Sequence, residues 1–203
     1  MTIAVDAFIH PTAVLDLPVE VGARTKIWHF SHIMQGARIG AHCVLGQNVY
    51  VAASVIIGDG CRIQNNVSLY DGVTLEPDVF VGPSCVFTNI RNPRAAVVRR
   101  NFESTHVRQG ATLGANCTIV AGCSVGRWSF VGAGSVMTRD VADYALVVGN
   151  PARRIGWVSR RGQRLNFEDG YAHCSESGEA YRLTESGVVE MQDSPDPLRQ
   201  FKR

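Results

Sequence analysis

Aliphatic residues recur at intervals of six through most of the chain: Val21, Ile27, Ile33, Ile39, Leu45, Val51, Ile57, Ile63, Leu69, Leu75, Val81 and Phe87. The series restarts at Val107 and runs through Leu113, Ile119, Val125 and Val131 to Met137. Four residues after each of these anchors except Phe87 stands a small or β-branched side chain, such as Thr25, Ser31, Ala37, Cys43, Val49 or Val55. An amphipathic helix repeats its apolar stripe every ~3.6 residues, so this period excludes one. It fits short strands joined by regular turns, with alternate residues pointing inward. Three hexads close one triangular coil, and residues 18 apart then stack. Glycine falls eight times directly after an anchor and six times three residues after one, where such a repeat turns. Residues 21–92 give four coils, 107–142 give two more, and the start from Ile9 adds about one. The expected fold is an all-β parallel β-helix of about seven triangular coils.

Between Phe87 and Val107 the spacing is not a multiple of six, so residues 88–106 should loop out of the coil. Long loops on a rigid scaffold commonly carry function. This one holds Arg91, Arg94, Arg99 and Arg100, a cluster suited to phosphates or a carboxylate, or to gripping a neighbouring subunit. The repeat ends near Asp140–Asp143, which divides the chain into a β-helix domain, 1–145, and a C-terminal extension, 146–203. The extension opens with a turn at Asn150-Pro151-Ala152-Arg153-Arg154 and becomes polar from Arg160 onward.

Composition narrows the picture. Val (26) and Ile (11) far outnumber Leu (10), against a helical bundle. A formal charge of +2 leaves no basic face for nucleic acid. No apolar run approaches the ~18 residues of a membrane span, and the first residues do not read as an export signal, so a cytoplasmic location with reduced thiols is expected. Five of the six Cys occupy the inward slot as core filler. No CxxC pair occurs, and no metal site is expected. Gly122-Cys123-Ser124-Val125-Gly126 matches a serine-hydrolase string, but its flanks continue the hexad instead of forming a strand, sharp turn and helix.

Several longer strings are more specific: KIWHFSHI at 26–33, IQNNVSLYDGV at 63–73, VGPSCVFTNIRNPRA at 81–95, GATLGANCTIVAG at 110–122 and the exit VVGNPAR at 147–153. Through them, residues 8–160 resemble the hexapeptide-repeat nucleotide-sugar N-acetyltransferases. The similarity is greatest to those acetylating the 3-amino group of UDP-2-acetamido-3-amino-2,3-dideoxy-glucuronate, for O-antigen lipopolysaccharide. The resemblance implies a left-handed coil, acetyl-CoA as co-substrate without a metal, and a homotrimer with active sites between subunits. It implies that CoA runs beside Gly114 and Ala133, with Pro151, Ala152, Arg153 and Arg154 at its adenine and phosphate end. The UDP-amino sugar would lie near Asn65, Tyr70, Asp71 and His32, capped by Arg91, Asn92 and Arg94 of the loop.

Acetyl transfer needs a neutral amine held ~3–3.5 Å from the thioester carbon and a donor for the developing oxyanion. Asn66, Ser84 and Asn89 are candidates to orient the amine, with His29 or His32 as a base. The 18-residue period places Phe30, Asn48, Asn66 and Ser84 in one column. Such a ladder suits sugar hydroxyls, and it equally suits hydrogen bonding along a prism corner. Other classes remain in view: acetylation of a dTDP-linked 3-amino- or 4-amino-deoxyhexose, or a trimeric β-helix scaffold without catalysis. A three-His metal site of the carbonic anhydrase kind is excluded, because His29, His32 and His42 do not stack at multiples of 18.

Overall fold

The computed structural model describes residues 2–191, and every regular element in that span is a strand. Residues 192–203 of the expected extension lie outside the described residues. Strands two or three residues long form three parallel faces. The first runs from Thr2–Ile3 through Glu20–Val21, Arg38–Ile39, Ile56–Ile57 and Val73–Leu75 to Thr105–Val107, and single bridges extend it to Val125 and Val141. The second runs from Phe8–Ile9 through Lys26–Ile27, Val44–Leu45, Arg62–Ile63, Phe80–Val81, Thr112–Leu113 and Phe130–Val131 to Ala145–Val148. The third runs from Val14–Leu15 through His32–Ile33, Tyr50–Val51, Ser68–Leu69, Val86–Phe87 and Thr118–Ile119 to Val136–Met137.

The second face holds eight parallel strands, so the solenoid has about eight turns and not seven. The added turn lies at both ends. Ile3, Ile9 and Leu15 pair with Val21, Ile27 and Ile33, which makes the first coil regular. Ala145–Val148 stacks on Phe130–Val131, so the last solenoid strand straddles residue 145. Partner residues are 18 apart through most of the array, as in Arg62↔Phe80. At Phe80↔Thr112 the offset becomes 32, and residues 88–104 protrude there.

All eighteen anchors are buried, none more than 3 % exposed. The +4 side chains join them in the core, and their polar atoms have work there. Thr25 Oγ1 donates to the Gly40 carbonyl at 2.7 Å and accepts from the Cys43 N–H at 3.0 Å. Ser31 makes the same pair of bonds to Gly46 and Val49 one vertex on, at 2.9 and 3.2 Å. Cys43 and Cys61 donate their thiols to the carbonyls of Gly58 and Glu76 at 3.1 and 3.2 Å. Hydrogen bonding to Cys43, and then burial, push the Cys61 thiol up; Cys117 and burial do the same to Cys85. The inward thiols are thus donors to the next coil as well as filler.

Most vertices bend at the third residue after an anchor, and there the backbone is left-handed. Arg24, Phe30, His42, Asn48, Asn66, Asp78, Ser84, Asn116 and Trp128 all have φ between 54° and 63°. Gly takes the same place at 36, 60, 72, 110, 122 and 134. Glycine directly after an anchor has a different cause: a Cβ on Gly82 would lie 2.6 Å from the Ala115 nitrogen of the next coil.

Beyond the solenoid, Arg153–Trp157 returns antiparallel on Ala145–Val148. Tyr171–His173, Ala180–Thr184 and Gly187–Glu190 form a separate antiparallel sheet. This sheet closes the solenoid's end through the Tyr144–Tyr181 ring contact at 5.6 Å and the Arg160–Glu190 ion pair at 3.2 Å. The Arg160 guanidinium also covers the Trp128 ring at 4.8 Å.

Replacing Thr25 by the isosteric Val removes both of its bonds and strands a buried carbonyl and a buried N–H. The expected loss is about 1–3 kcal/mol, read as a lower urea midpoint at unchanged slope. A loss below about 0.5 kcal/mol would show that the +4 hydrogen bonds contribute no net stability.

Candidate active site

The candidate residues fall on two different vertices of the prism. The first vertex joins the second and third faces. It carries Trp28-His29-Phe30, Gly46-Gln47-Asn48, Gln64-Asn65-Asn66, Gly82-Pro83-Ser84, Gly114-Ala115-Asn116 and Gly132-Ala133-Gly134 in successive coils. Asn66 (φ 61°) and Ser84 (φ 56°) are its left-handed bends. Asn tolerates that conformation better than most side chains because its short amide can bond locally. Here Asn48 Nδ2 donates to Asn66 Oδ1 at 3.1 Å, and Asn65 Oδ1 accepts the Gln47 N–H at 2.9 Å. The corner ladder therefore exists, and Asn65 spends one oxygen on it. Asn66 stays exposed and Ser84 half-buried, so both still face solvent.

Gly114 and Ala133 continue this vertex toward the C-terminal end. The turn at Pro151–Arg154, which follows a cis Asn150–Pro151 bond, closes beside them: Ala152 N–H donates to the Val136 carbonyl at 2.8 Å, and Gly149 N–H to Ser135 Oγ at 3.1 Å. Arg154 lies over the Trp157 ring at 4.3 Å, while Arg153 bonds the Ala152 carbonyl. A cavity of about 220 Å³ lies at the solenoid's C-terminal end, where Ala152, Arg153 and Arg154 meet Thr138, Arg139 and Asp140 of the vertex after the third face. The expected coenzyme residues are thus brought together along one edge.

The second vertex joins the third and first faces, and the loop leaves from it. Asn89 stands at the loop's root, where its carbonyl accepts the Glu103 N–H at 2.9 Å. Tyr70 and Asp71 sit one coil earlier, with Asp71 Oδ1 accepting from the Ser54 hydroxyl at 2.8 Å. Arg91 is committed to holding the loop: its Nη2 is 3.1 Å from Glu103 Oε2 and 3.2 Å from the Ala121 carbonyl. Arg94 bonds the Pro93 carbonyl at 3.1 Å. A cavity of about 420 Å³ is lined by Arg91, Asn92, Arg99, Arg100, Asn101 and Glu103. Arg99 and Arg100 are exposed and form no ion pair among the described residues.

His32 projects from the third face, between the vertices, with Nε2 2.8 Å from Asp16 Oδ2 and its ring against Tyr50. His29 instead stacks on His10, with ring centroids 3.5 Å apart. Desolvation, and then His29, lower the pKa of His10. Among the described residues no group of three metal-ligating side chains converges.

Asn66 and Asp71 are separated by one strand of the third face, roughly 16 Å at ~3.3 Å per residue. One chain does not bring Asn66 and Ser84 onto Asn89 and the loop arginines. Two partners escaped the sequence reading. Asp16 lies 16 residues before His32, two positions off the 18-residue period, so the spacing did not signal it. Glu103 lies in the aperiodic loop, where no spacing signals a partner.

A family model described as "Bacterial transferase hexapeptide (six repeats)" matches residues 18–53, 54–89 and 104–139, and one described as "Hexapeptide repeat of succinyl-transferase" matches 36–71. The chain is 40% identical over 182 residues to a dTDP-3-amino-3,6-dideoxy-alpha-D-galactopyranose 3-N-acetyltransferase of Aneurinibacillus thermoaerophilus, covering 90% of this chain and 93% of that one. It is 30% identical to the bifunctional protein GlmU of Synechococcus sp. (strain CC9605), covering 70% of this chain and a third of that protein. Among solved structures, the acetyltransferase domain of PglB from Neisseria gonorrhoeae, in complex with acetyl coenzyme A, aligns at 19% identity and a TM-score of 0.48, over 74% of this chain and 58% of that one.

The Asn66 bend separates backbone from side-chain roles. Asn66→Ala should cost about 1 kcal/mol more stability than Asn66→Gly, because only Gly accepts positive φ freely. Paired thermal unfolding of the two variants measures the difference. Equal stability would show that the corner does not select its residue.

Proposed function

The chain belongs to the bacterial hexapeptide-repeat transferase family, whose left-handed β-helix it adopts, and on that premise we propose that it is an N-acetyltransferase moving acetyl from acetyl-CoA to the 3-amino group of a nucleotide-linked sugar. The observation that carries this reading is the near full-length similarity to an enzyme named for that reaction on a dTDP-linked sugar. It favours a dTDP-3-amino-deoxyhexose over the UDP-linked uronate expected from the sequence strings. The uronate keeps one supporting feature, the exposed cations of Arg99 and Arg100, which form no ion pair among the described residues and suit a sugar carboxylate. A diphosphate would use them equally well, whichever nucleotide carries it.

In the proposed reaction the neutral amine attacks the thioester carbon, the carbonyl oxygen becomes an oxyanion, and the C–S bond breaks to release CoA. The nitrogen's surplus proton passes to the departing thiolate or to water. Asn66, Ser84 and Asn89 orient the amine through hydrogen bonds, so the catalysis is mainly positional. Gly114, Ala133 and the Pro151–Arg154 turn hold CoA along the edge that leads to the turn beside the 220 Å³ cavity. His32, buttressed by Asp16, has better general-base geometry than His29, whose ring lies against His10. The active unit is a homotrimer, because the loop of one chain must reach the amide vertex of its neighbour. Asn65, Tyr70, Asp71 and Asn92 line the sugar's path in that assembly.

CoA release, measured with dTDP-3-amino-, dTDP-4-amino- and UDP-3-amino-sugars, tests the reading. The dTDP-3-amino sugar should give a kcat/KM at least about tenfold above its 4-amino isomer. No release with any sugar would leave the scaffold alternative standing. Within the same assay His29→Ala and His32→Ala should each cost less than about 100-fold in kcat. A loss near 10⁴-fold from either would replace the positional mechanism with general-base catalysis.

A further inference from the structure

The upper part of the amide vertex holds an aromatic wall around Trp28 to which the proposed chemistry gives no role. Trp28, in the second coil, is 36 % exposed, and its ring lies nearly parallel to His29 (5°) with centroids 6.1 Å apart. Phe8, 5.3 Å from the indole, and His10, stacked on His29, fix this aromatic wall from the coil before. The wall bounds a groove of about 280 Å³ whose other sides are Gly46, Gln47, Gln64 and Asn65. Gly46 contributes no side chain, so the groove reaches the backbone. The amides of Gln47 and Gln64 have no hydrogen-bond partner among the described residues, and Asn65 keeps its two Nδ2 donors because only Oδ1 is engaged.

We propose that this groove binds the nucleobase of the sugar nucleotide, with Trp28 and His29 stacking on the ring and Gln47 or Gln64 reading its edge. The inference rests on the nucleotide-sugar reading above and deepens it. A flat heterocycle satisfies both halves of the groove: its face meets aromatic rings, and its edge offers alternating donors and acceptors. A uracil or thymine ring carries an N–H between two carbonyls, and a primary amide can donate to a carbonyl and accept from that N–H together. The groove runs down to Asn65, beside Asn66, while its aromatic wall at Trp28 lies two coils above, about 10 Å at the ~4.8 Å coil spacing. Trp28 lies six coils from the turn proposed for the coenzyme's adenine, about 29 Å away. The base it receives is accordingly the one on the sugar nucleotide. Coenzyme A carries the other nucleobase in the reaction, and the test separates the two.

Calorimetric titration of the full chain with UDP, dTDP and 3′,5′-ADP, for the parent protein and for Trp28→Ala, Trp28→Phe and Gln64→Ala, decides the matter. Trp28→Ala should weaken the tighter pyrimidine nucleotide roughly 5- to 100-fold. Trp28→Phe, which keeps an aromatic face, should stay within about threefold of the parent. Gln64→Ala should lose about 2- to 10-fold, and 3′,5′-ADP should bind all four proteins alike. Circular dichroism melting checks that Trp28→Ala is folded, and Gln64→Ala reports on the groove independently. Unchanged pyrimidine affinity in both Ala variants of a parent that acetylates nucleotide sugars overturns the groove alone. Weakened 3′,5′-ADP binding assigns the groove to the coenzyme and also overturns it. A parent that neither acetylates nor binds any pyrimidine nucleotide overturns the broader reading, and this inference with it.

Discussion

Every coil must turn three times in eighteen residues while lying ~4.8 Å from the next, and the rest of the molecule follows from that demand. At most vertices the turn is made by one left-handed residue, and such a vertex asks for Gly, Asn or a side chain that accepts φ near +60°. Close stacking leaves no room for a Cβ at places such as Gly82. It also buries carbonyls just beyond the strands, which the inward Thr, Ser and Cys side chains satisfy from the coil before. Small polar residues in the core thus have a hydrogen-bonding role where they occur, while Val and Ala fill the same slot at other vertices.

The same demand organises chemistry into columns. Residues 18 apart share a direction, so a polar type chosen at one vertex repeats down an edge, as Asn48 and Asn66 do. An edge of exposed amides leading to a glycine-lined stretch at Gly114 and Gly132 is what a long, thin ligand pair needs. The loop at residues 88–104 is the long break in the period, and it holds Arg99 and Arg100, which form no ion pair among the described residues. Rigid columns plus one irregular loop divide the labour between orientation and charge.

This division also decides what the sequence made legible. The hexad spacing located every buried anchor from Val21 to Met137, because burial there is a direct function of position. It equally contained the first coil, through Ile3, Ile9 and Leu15, although two nearby prolines disguise the pattern. The C-terminal turn was harder, because the coil shortens: Val125 pairs with Val141 at an offset of 16. Asn66 and Ser84 were readable as special positions, but a vertex and an active site favour the same residue types there. Arg91 looked like a ligand from its charge, yet Glu103 and the Ala121 carbonyl already hold it. Such a partner within a loop follows from tertiary geometry and leaves no periodic trace.

The separation of the two polar vertices bears on assembly. A twofold pairing sets residue i of one chain on residue j of the other and j on i, so it would need the loop and the amide vertex within one shared patch. A head-to-tail contact sets one edge of the prism on a different edge of its neighbour, and it closes into a ring or grows without limit. The proposed trimer is such a ring. In the proposed trimer the exposed cations of Arg99 and Arg100 would reach across the seam toward the edge bearing Gln64 and Asn66. An anionic diphosphate lying on that edge would be held by one chain through its base and by the next through its charge. Ligand and neighbour would then be recognised by the same contact, which couples substrate affinity to the integrity of the ring.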